Sequence, residues 1–121
     1  MAKILLVDDE PNIVMALEYA LKKKCFEVFI ALSGKEAINM CHEQQPCLMV
    51  LDIMMPEMDG FEVIEKIKSD TETQAIKTIF LSAKNKPEDI EKGLQAGAVA
   101  YMTKPFSTKK LIEKITDYCK H

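Results

Sequence analysis

Arginine and tryptophan are absent from this chain, and all 16 of its cationic residues are lysine. Arginine is the planar fork that reads guanine and grips phosphate through two parallel hydrogen bonds. Without it, and with a net charge of −3, a pI of about 5.4 and no basic stripe, direct nucleic-acid binding is not expected. A lysine can still hold a phosphate as a point charge. No apolar run approaches the roughly 20 residues that span a bilayer. Met1-Ala2-Lys3 leads straight into an apolar run with no cleavage site, unlike a signal peptide. The expected compartment is therefore the cytoplasm, with no membrane partner. The four cysteines, Cys25, Cys41, Cys47 and Cys119, form no C-x-x-C pair. Cys41, His42 and Cys47 sit in a helical context at a spacing unsuited to zinc. All four are expected as buried or half-buried thiols, with neither a metal nor a disulfide. Histidine is scarce as well, and His42 and His121 have no nucleophile–base partner nearby, so both are expected at the surface.

What is present is the material of a single core. The chain has 121 residues, 48% hydrophobic and 29% charged, enough for one domain over residues 1–121 and too few for two. Short apolar runs alternate with amphipathic stretches, with no linker, repeat or low-complexity segment between them. Residues 3–7, 27–31, 48–52, 77–82 and 98–103 read as strands. Pro11 opens a helix carrying Ile13, Leu17, Ala20 and Leu21 at helical spacing. Ser33 with Glu36 reads as a capping box before Ala37, Ile38, Met40 and Cys41. Asp59-Gly60 reads as a turn before Phe61, Val63, Ile64 and Ile67, and Pro87 opens a short helix that Gly97 ends. Ser107 or Thr108 caps the last helix, with Leu111, Ile112, Ile115 and Cys119 inward. Five β/α units with near-continuous apolar strands imply an α/β fold, a five-stranded parallel sheet covered by helices on both faces. The eight methionines read as core filler.

Right-handed crossovers place every strand-to-helix loop on one edge of such a sheet, where ligands bind. Asp8 and Asp9 close Ile4-Leu5-Leu6-Val7, Asp52 closes Leu48-Met49-Val50-Leu51, and Lys104 follows Ala100-Tyr101-Met102-Thr103. One acid at a strand end is commonly a helix cap or a solvated charge. Three acids from two strand ends on a shared edge repel one another and call for a cation. An all-oxygen donor set favours Mg²⁺ or Mn²⁺. Asp52, alone on its strand end, is the best nucleophile toward phosphorus, through an acyl phosphate. Lys104 can hold another phosphoryl oxygen, and the Lys104-Pro105 bond can be a cis turn that aims its side chain. Ser82, which ends Leu81-Ser82-Ala83, can donate to the same group or merely cap the next helix.

These residues together resemble the receiver domain of two-component response regulators. The resemblance covers essentially the whole chain and rests on Val7-Asp8-Asp9-Glu10, Leu51-Asp52-Ile53-Met54-Met55-Pro56 with Asp59-Gly60, Leu81-Ser82-Ala83 and Lys104-Pro105-Phe106. It implies a flavodoxin-like fold with strand order 2-1-3-4-5. Asp52 resembles the phosphoacceptor, which takes its phosphoryl group from a histidine kinase or phosphotransferase. Such a domain promotes its own phosphorylation and is not an enzyme acting on other substrates. Asp9 and Asp52 resemble the carboxylate ligands of Mg²⁺, with the Met54 backbone carbonyl as a third and Asp8 acting through water. Lys104 resembles the phosphoryl-binding lysine, Ser82 the switch hydroxyl, the Ala83 amide a donor beside it, and Tyr101 the switch aromatic that turns inward on phosphorylation. The face made by the fourth helix, fifth strand and fifth helix is implied to change and control an output partner.

Two positions depart from a fast-resetting regulator. Met54 offers no polar group to position a hydrolytic water, and Lys84 can shield the acyl phosphate, so slow self-dephosphorylation is expected. Val99-Ala100-Tyr101 and the lack of arginine argue against the dimer of winged-helix regulators. The chain stops just after its last helix, as a stand-alone receiver or an excised domain would. Met54, Met55 and Met58, if exposed, would offer a docking helix an apolar patch. A haloacid-dehalogenase-type phosphatase would want an acid where Met54 stands. A non-phosphorylated flavodoxin-like binding module is the other alternative, and it would not need the complete pocket.

Overall fold

The computed structural model describes residues 1–120 as alternating strands and helices. They run β1 (Lys3–Val7), α1 (Pro11–Lys23), β2 (Glu27–Ala31), α2 (Gly34–Gln44), β3 (Leu48–Leu51), α3 (Gly60–Ser69), β4 (Lys77–Ser82), α4 (Pro87–Gln95), β5 (Ala100–Thr103) and α5 (Thr108–Tyr118). All strand pairings are parallel, in the order β2-β1-β3-β4-β5. Central β3 pairs Val50 with Leu6 on one side and Ile79 on the other. The architecture and strand order are those expected from the sequence.

Alternation along the strands builds two cores. Leu5, Val7, Met49, Leu51 and Phe80 face α2 and α3, packing on Ala37, Cys41, Val63, Ile64 and Ile67. Ile4, Leu6, Leu48, Val50, Ile79 and Leu81 pack with Leu17 and Leu21 of α1 and Leu111 and Ile115 of α5. Each fully buried Leu, Ile or Phe contributes about 2 kcal/mol of transfer free energy. The chain is thereby buried on both faces of the sheet, as its near-continuous apolar strands require.

The helix starts follow local chemistry. Pro11 and Pro87 occupy the first turns of α1 and α4, where a missing N–H costs nothing. Ser33 caps α2 by accepting from the Glu36 amide, without the return bond that would complete a box. The complete capping box is at α3: Asp59 accepts from the Glu62 amide, and the Glu62 carboxylate accepts from the Asp59 amide. Asp59-Gly60, read from sequence as a turn, is thus a helix start. Ser107 caps α5, and Gly97, at φ +113°, turns the chain after α4.

The cysteine expectation is overturned. Cys47, just before β3, and Cys119, at the C-terminal cap of α5, form a disulfide across 72 residues. Cys25 is exposed, and only Cys41 is a buried free thiol. The pairing is tertiary: β3 and α5 are adjacent only in the folded layer, so spacing gave no signal of it. Burial pushes the Cys41 thiol up to about 12, which leaves it an inert core side chain.

Candidate functional site

β1, β3, β4 and β5 end side by side at one edge of the sheet, and their loops bring the acids, Ser82 and Lys104 together. Asp52 follows the last residue of β3, with its amide donating to the Val7 carbonyl. It is 3% exposed. The loop after it is drawn close, since the Gly60 amide donates to the Ile53 carbonyl and a Cβ on Gly60 would lie 2.6 Å from the Asp52 carbonyl oxygen. Only glycine fits there, so the first residue of α3 holds the phosphoacceptor candidate's backbone. One Asp52 carboxylate oxygen accepts from the Met54 amide at 3.2 Å.

Asp8 is buried, and its carboxylate accepts from the Glu10 amide at 2.9 Å. Lys104 Nζ lies 3.0 Å from Asp8, 2.9 Å from Glu10 and 3.7 Å from Asp52. Asp8, Glu10 and Asp52 offer carboxylate oxygens all within 4.8 Å of one another. Asp9, expected as a direct ligand, is exposed and outside this tight group, though close enough for its charge to act on Asp52. Glu10 takes the third place. Its motif was visible in the sequence, but its contact with Lys104 was not, because that contact depends on how the first loop turns over the β5 end.

Burial, and then the charge of Asp8, push the Asp52 carboxyl up to about 6, against the opposing pull of Lys104 and the Met54 amide. Burial lowers the Lys104 ammonium, but the hydrogen bonds it donates to Glu10 and Asp8 and the charge of Asp52 more than offset it, so its pKa is raised. A single ammonium therefore serves three carboxylates and leaves Asp52 under-compensated. That excess negative potential, with oxygen donors only, fits a hard divalent cation.

The remaining expected residues are placed as follows. Ser82 is fully buried at the end of β4, with its hydroxyl accepting from the Lys84 amide at 3.2 Å. Ala83 is exposed in the loop that follows. Lys104-Pro105 is cis. Tyr101 is half-buried, with its ring 5.9 Å from that of Phe80 and against Gly93, where a Cβ would meet it at 2.8 Å. Its hydroxyl donates to the Lys84 carbonyl at 2.7 Å, so the aromatic is already tied to the loop carrying Ser82 and Ala83. Of the three loop methionines, Met54 is exposed, but Met55 is buried and Met58 packs on the core, so the expected apolar patch reduces to one side chain. His42 lies at the surface between Asp70 and Glu72. His121 lies outside the described residues. Among the described residues, no helix is long and apolar enough to cross a membrane.

Comparison with known proteins adds independent findings. The family model described as response regulator receiver domain matches residues 4–116. The receiver domain of the Francisella response regulator 1452 superposes with a TM-score of 0.91 at 28% identity, covering 98% of this chain and 96% of that one. The Vibrio cholerae chemotaxis protein CheY4 gives 0.91 at 27% identity over 98% and 99%. A CheY-like receiver domain protein from Methanospirillum hungatei gives 0.89 at 31% identity over 97% and 92%.

Proposed function

The chain belongs to the response regulator receiver domain family of two-component systems, and on that premise we propose that Asp52 accepts a phosphoryl group from a histidine kinase or phosphotransferase. The observation that carries this reading is the buried Asp52 carboxylate. It stands at the end of the central strand with Asp8, Glu10 and Lys104 around it, and with Ser82 at the neighbouring strand end. The proposed domain is residues 1–121.

Asp8, Asp9, Asp52 and the Met54 carbonyl are the proposed holders of Mg²⁺ or Mn²⁺, with Glu10 added by its position. The ion, when bound, neutralises charge on the phosphoryl oxygens. The Asp52 carboxylate oxygen attacks phosphorus, the phosphohistidine N–P bond breaks, and the imidazole leaves with the bonding electron pair. Lys104, leaving Glu10, holds one phosphoryl oxygen as a point charge. Ser82 donates its hydroxyl to another, and the Ala83 amide donates beside it. To do so the Ser82 hydroxyl reorients from the Lys84 amide, and Tyr101, tied to the Lys84 carbonyl, moves with that loop. The packing of β5 against α4 changes with it, which is the route to the α4-β5-α5 surface and an output partner.

Met54, exposed and apolar, offers no group to position a water, and Lys84 stands in the loop whose amide holds the Ser82 hydroxyl, so self-dephosphorylation is slow. Acetyl phosphate in place of the kinase tests the transfer. Intact mass rises by roughly 80 Da for one phosphoryl group with Mg²⁺ and not without it, and Asp52→Asn does not gain it. A folded, Mg²⁺-binding protein that gains no mass refutes the reading. Met54→Asn with Lys84→Glu speeds the decay; an unchanged rate refutes the explanation of slowness.

A further inference from the structure

The disulfide lies at the opposite edge of the sheet from the acids, and nothing in the phosphoryl chemistry uses it. Cys47 is fixed in the sheet, with its amide donating to the Lys3 carbonyl and its carbonyl accepting from Lys77. Cys119 ends α5, with its amide donating to Ile115. The two Cα atoms are 6.2 Å apart, inside the range any disulfide requires. We propose that Cys47 and Cys119 form a reversible redox staple, in which thiol–disulfide exchange fastens or frees the C-terminal turn of α5.

The two sulfurs have different roles. Cys47 is half-buried and Cys119 buried. Lys77 Nζ donates to the Tyr118 carbonyl at 2.8 Å, and Cys47 Sγ approaches the same oxygen at 4.0 Å. Cys47, the more accessible sulfur, is therefore the entering nucleophile. Its thiolate attacks one sulfur of a low-molecular-weight disulfide, and one thiolate leaves. The Cys119 thiol, losing its proton, then attacks the Cys47 sulfur and displaces the second thiolate. Two protein thiols are oxidised, one small disulfide is reduced to two thiols, and those two thiols carry away the two protons. Cys41 cannot compete, because it is buried in the other core.

The consequence falls on the last turn of α5. Ile115 anchors the start of this turn in the core, and beyond it the hydrogen bonds to the sheet are Lys77 to the Tyr118 carbonyl and the Tyr118 hydroxyl to the Val99 carbonyl. Reduction leaves these exposed hydrogen bonds to hold the residues beyond Ile115, so the oxidised and reduced proteins differ in how firmly α5 ends. In a reducing compartment the dithiol predominates, and the staple closes under oxidative load.

The test uses the unphosphorylated chain, so it stands or falls apart from the Asp52 reading. The dithiothreitol-reduced protein is incubated with glutathione disulfide and then mapped by mass without reduction. The expected result is a Cys47–Cys119 cross-linked peptide, reversed by dithiothreitol, with Cys25 and Cys41 not joined to each other or to either. Hydrogen exchange in residues 115–119 is expected to be about tenfold faster in the reduced form. Cys47→Ser, still folded by circular dichroism, is expected to exchange at the reduced rate under both conditions. Absence of the cross-link, or equal exchange in the two redox forms of the wild type, overturns the proposal.

Discussion

Asp52→Asn is expected to stabilise the metal-free protein, and the size of the gain depends on pH. The Asp52 carboxyl is pushed from 3.8 to about 6, first by burial and then by Asp8. An acid whose folded value is raised binds its proton more tightly when folded. Stability is therefore highest below the unfolded value, falls as pH rises from about 4 to about 6, and is level above that. The full loss at pH 7.5 is about 3 kcal/mol, from 1.36 kcal/mol per decade of proton affinity. Asn keeps the shape and carries no charge, so the variant lacks this loss. Urea unfolding in EDTA, with the disulfide kept oxidised, is expected to give equal stabilities near pH 4. The variant should lead by roughly 2–3 kcal/mol at pH 7.5, or on the order of 10 °C in Tm. Adding Mg²⁺ is expected to narrow the gap by stabilising the wild type more. If the two proteins unfold alike across this range, or if Asn is the weaker at pH 7.5, the account of an under-compensated carboxylate is wrong.

Lys104→Met removes the one ammonium among Asp8, Glu10 and Asp52. It is expected to cost about 2–3 kcal/mol in EDTA at pH 7.5 and to slow phosphorylation by acetyl phosphate, read by urea unfolding and by intact mass against time. Gly60→Ala brings a Cβ against the Asp52 carbonyl oxygen and the Ile53 Cα, both backbone atoms that cannot swing away. A loss of about 3 kcal/mol is expected, and a neutral result by thermal unfolding contradicts the close approach. Reducing the Cys47–Cys119 bond, which closes a separation of 72 residues, is expected to lower stability by about 4 kcal/mol, measured by unfolding with and without dithiothreitol.

The fold was legible because both periodicities were unbroken. Ile4 to Val7 and Leu48 to Leu51 are apolar without alternation, as strands buried on two faces must be, and each ends in an acid where the chain leaves the sheet. The central site residues were legible for the same reason, since a parallel sheet sends Asp8, Asp52, Ser82 and Lys104 to one edge whatever the helices do. What could not be read depended on loop conformation and on layer packing. Glu10 reaches Lys104 because the first loop turns over the β5 end, whereas Asp9 is exposed and acts on Asp52 through its charge. Met55 is buried although it stands in a loop beside exposed Met54, because the loop after β3 folds back on Ile53 and Gly60. Cys47 and Cys119 meet because α5 lies across the start of β3, a contact between elements far apart in sequence. Asp59-Gly60 read as a turn because that dipeptide commonly makes one, and the structure shows instead a helix cap that Glu62, three residues on, completes.

One particular carboxylate, that of Asp52, is proposed to carry the phosphoryl group. The most direct measurement treats the protein with acetyl phosphate and Mg²⁺, reduces the acyl phosphate with borohydride, and maps the peptide in which an acidic residue has become the corresponding alcohol. The account predicts conversion at Asp52 alone, to homoserine, and none when Mg²⁺ is left out. Conversion at Asp8, Asp9 or Glu10, or equal conversion without Mg²⁺, would contradict it.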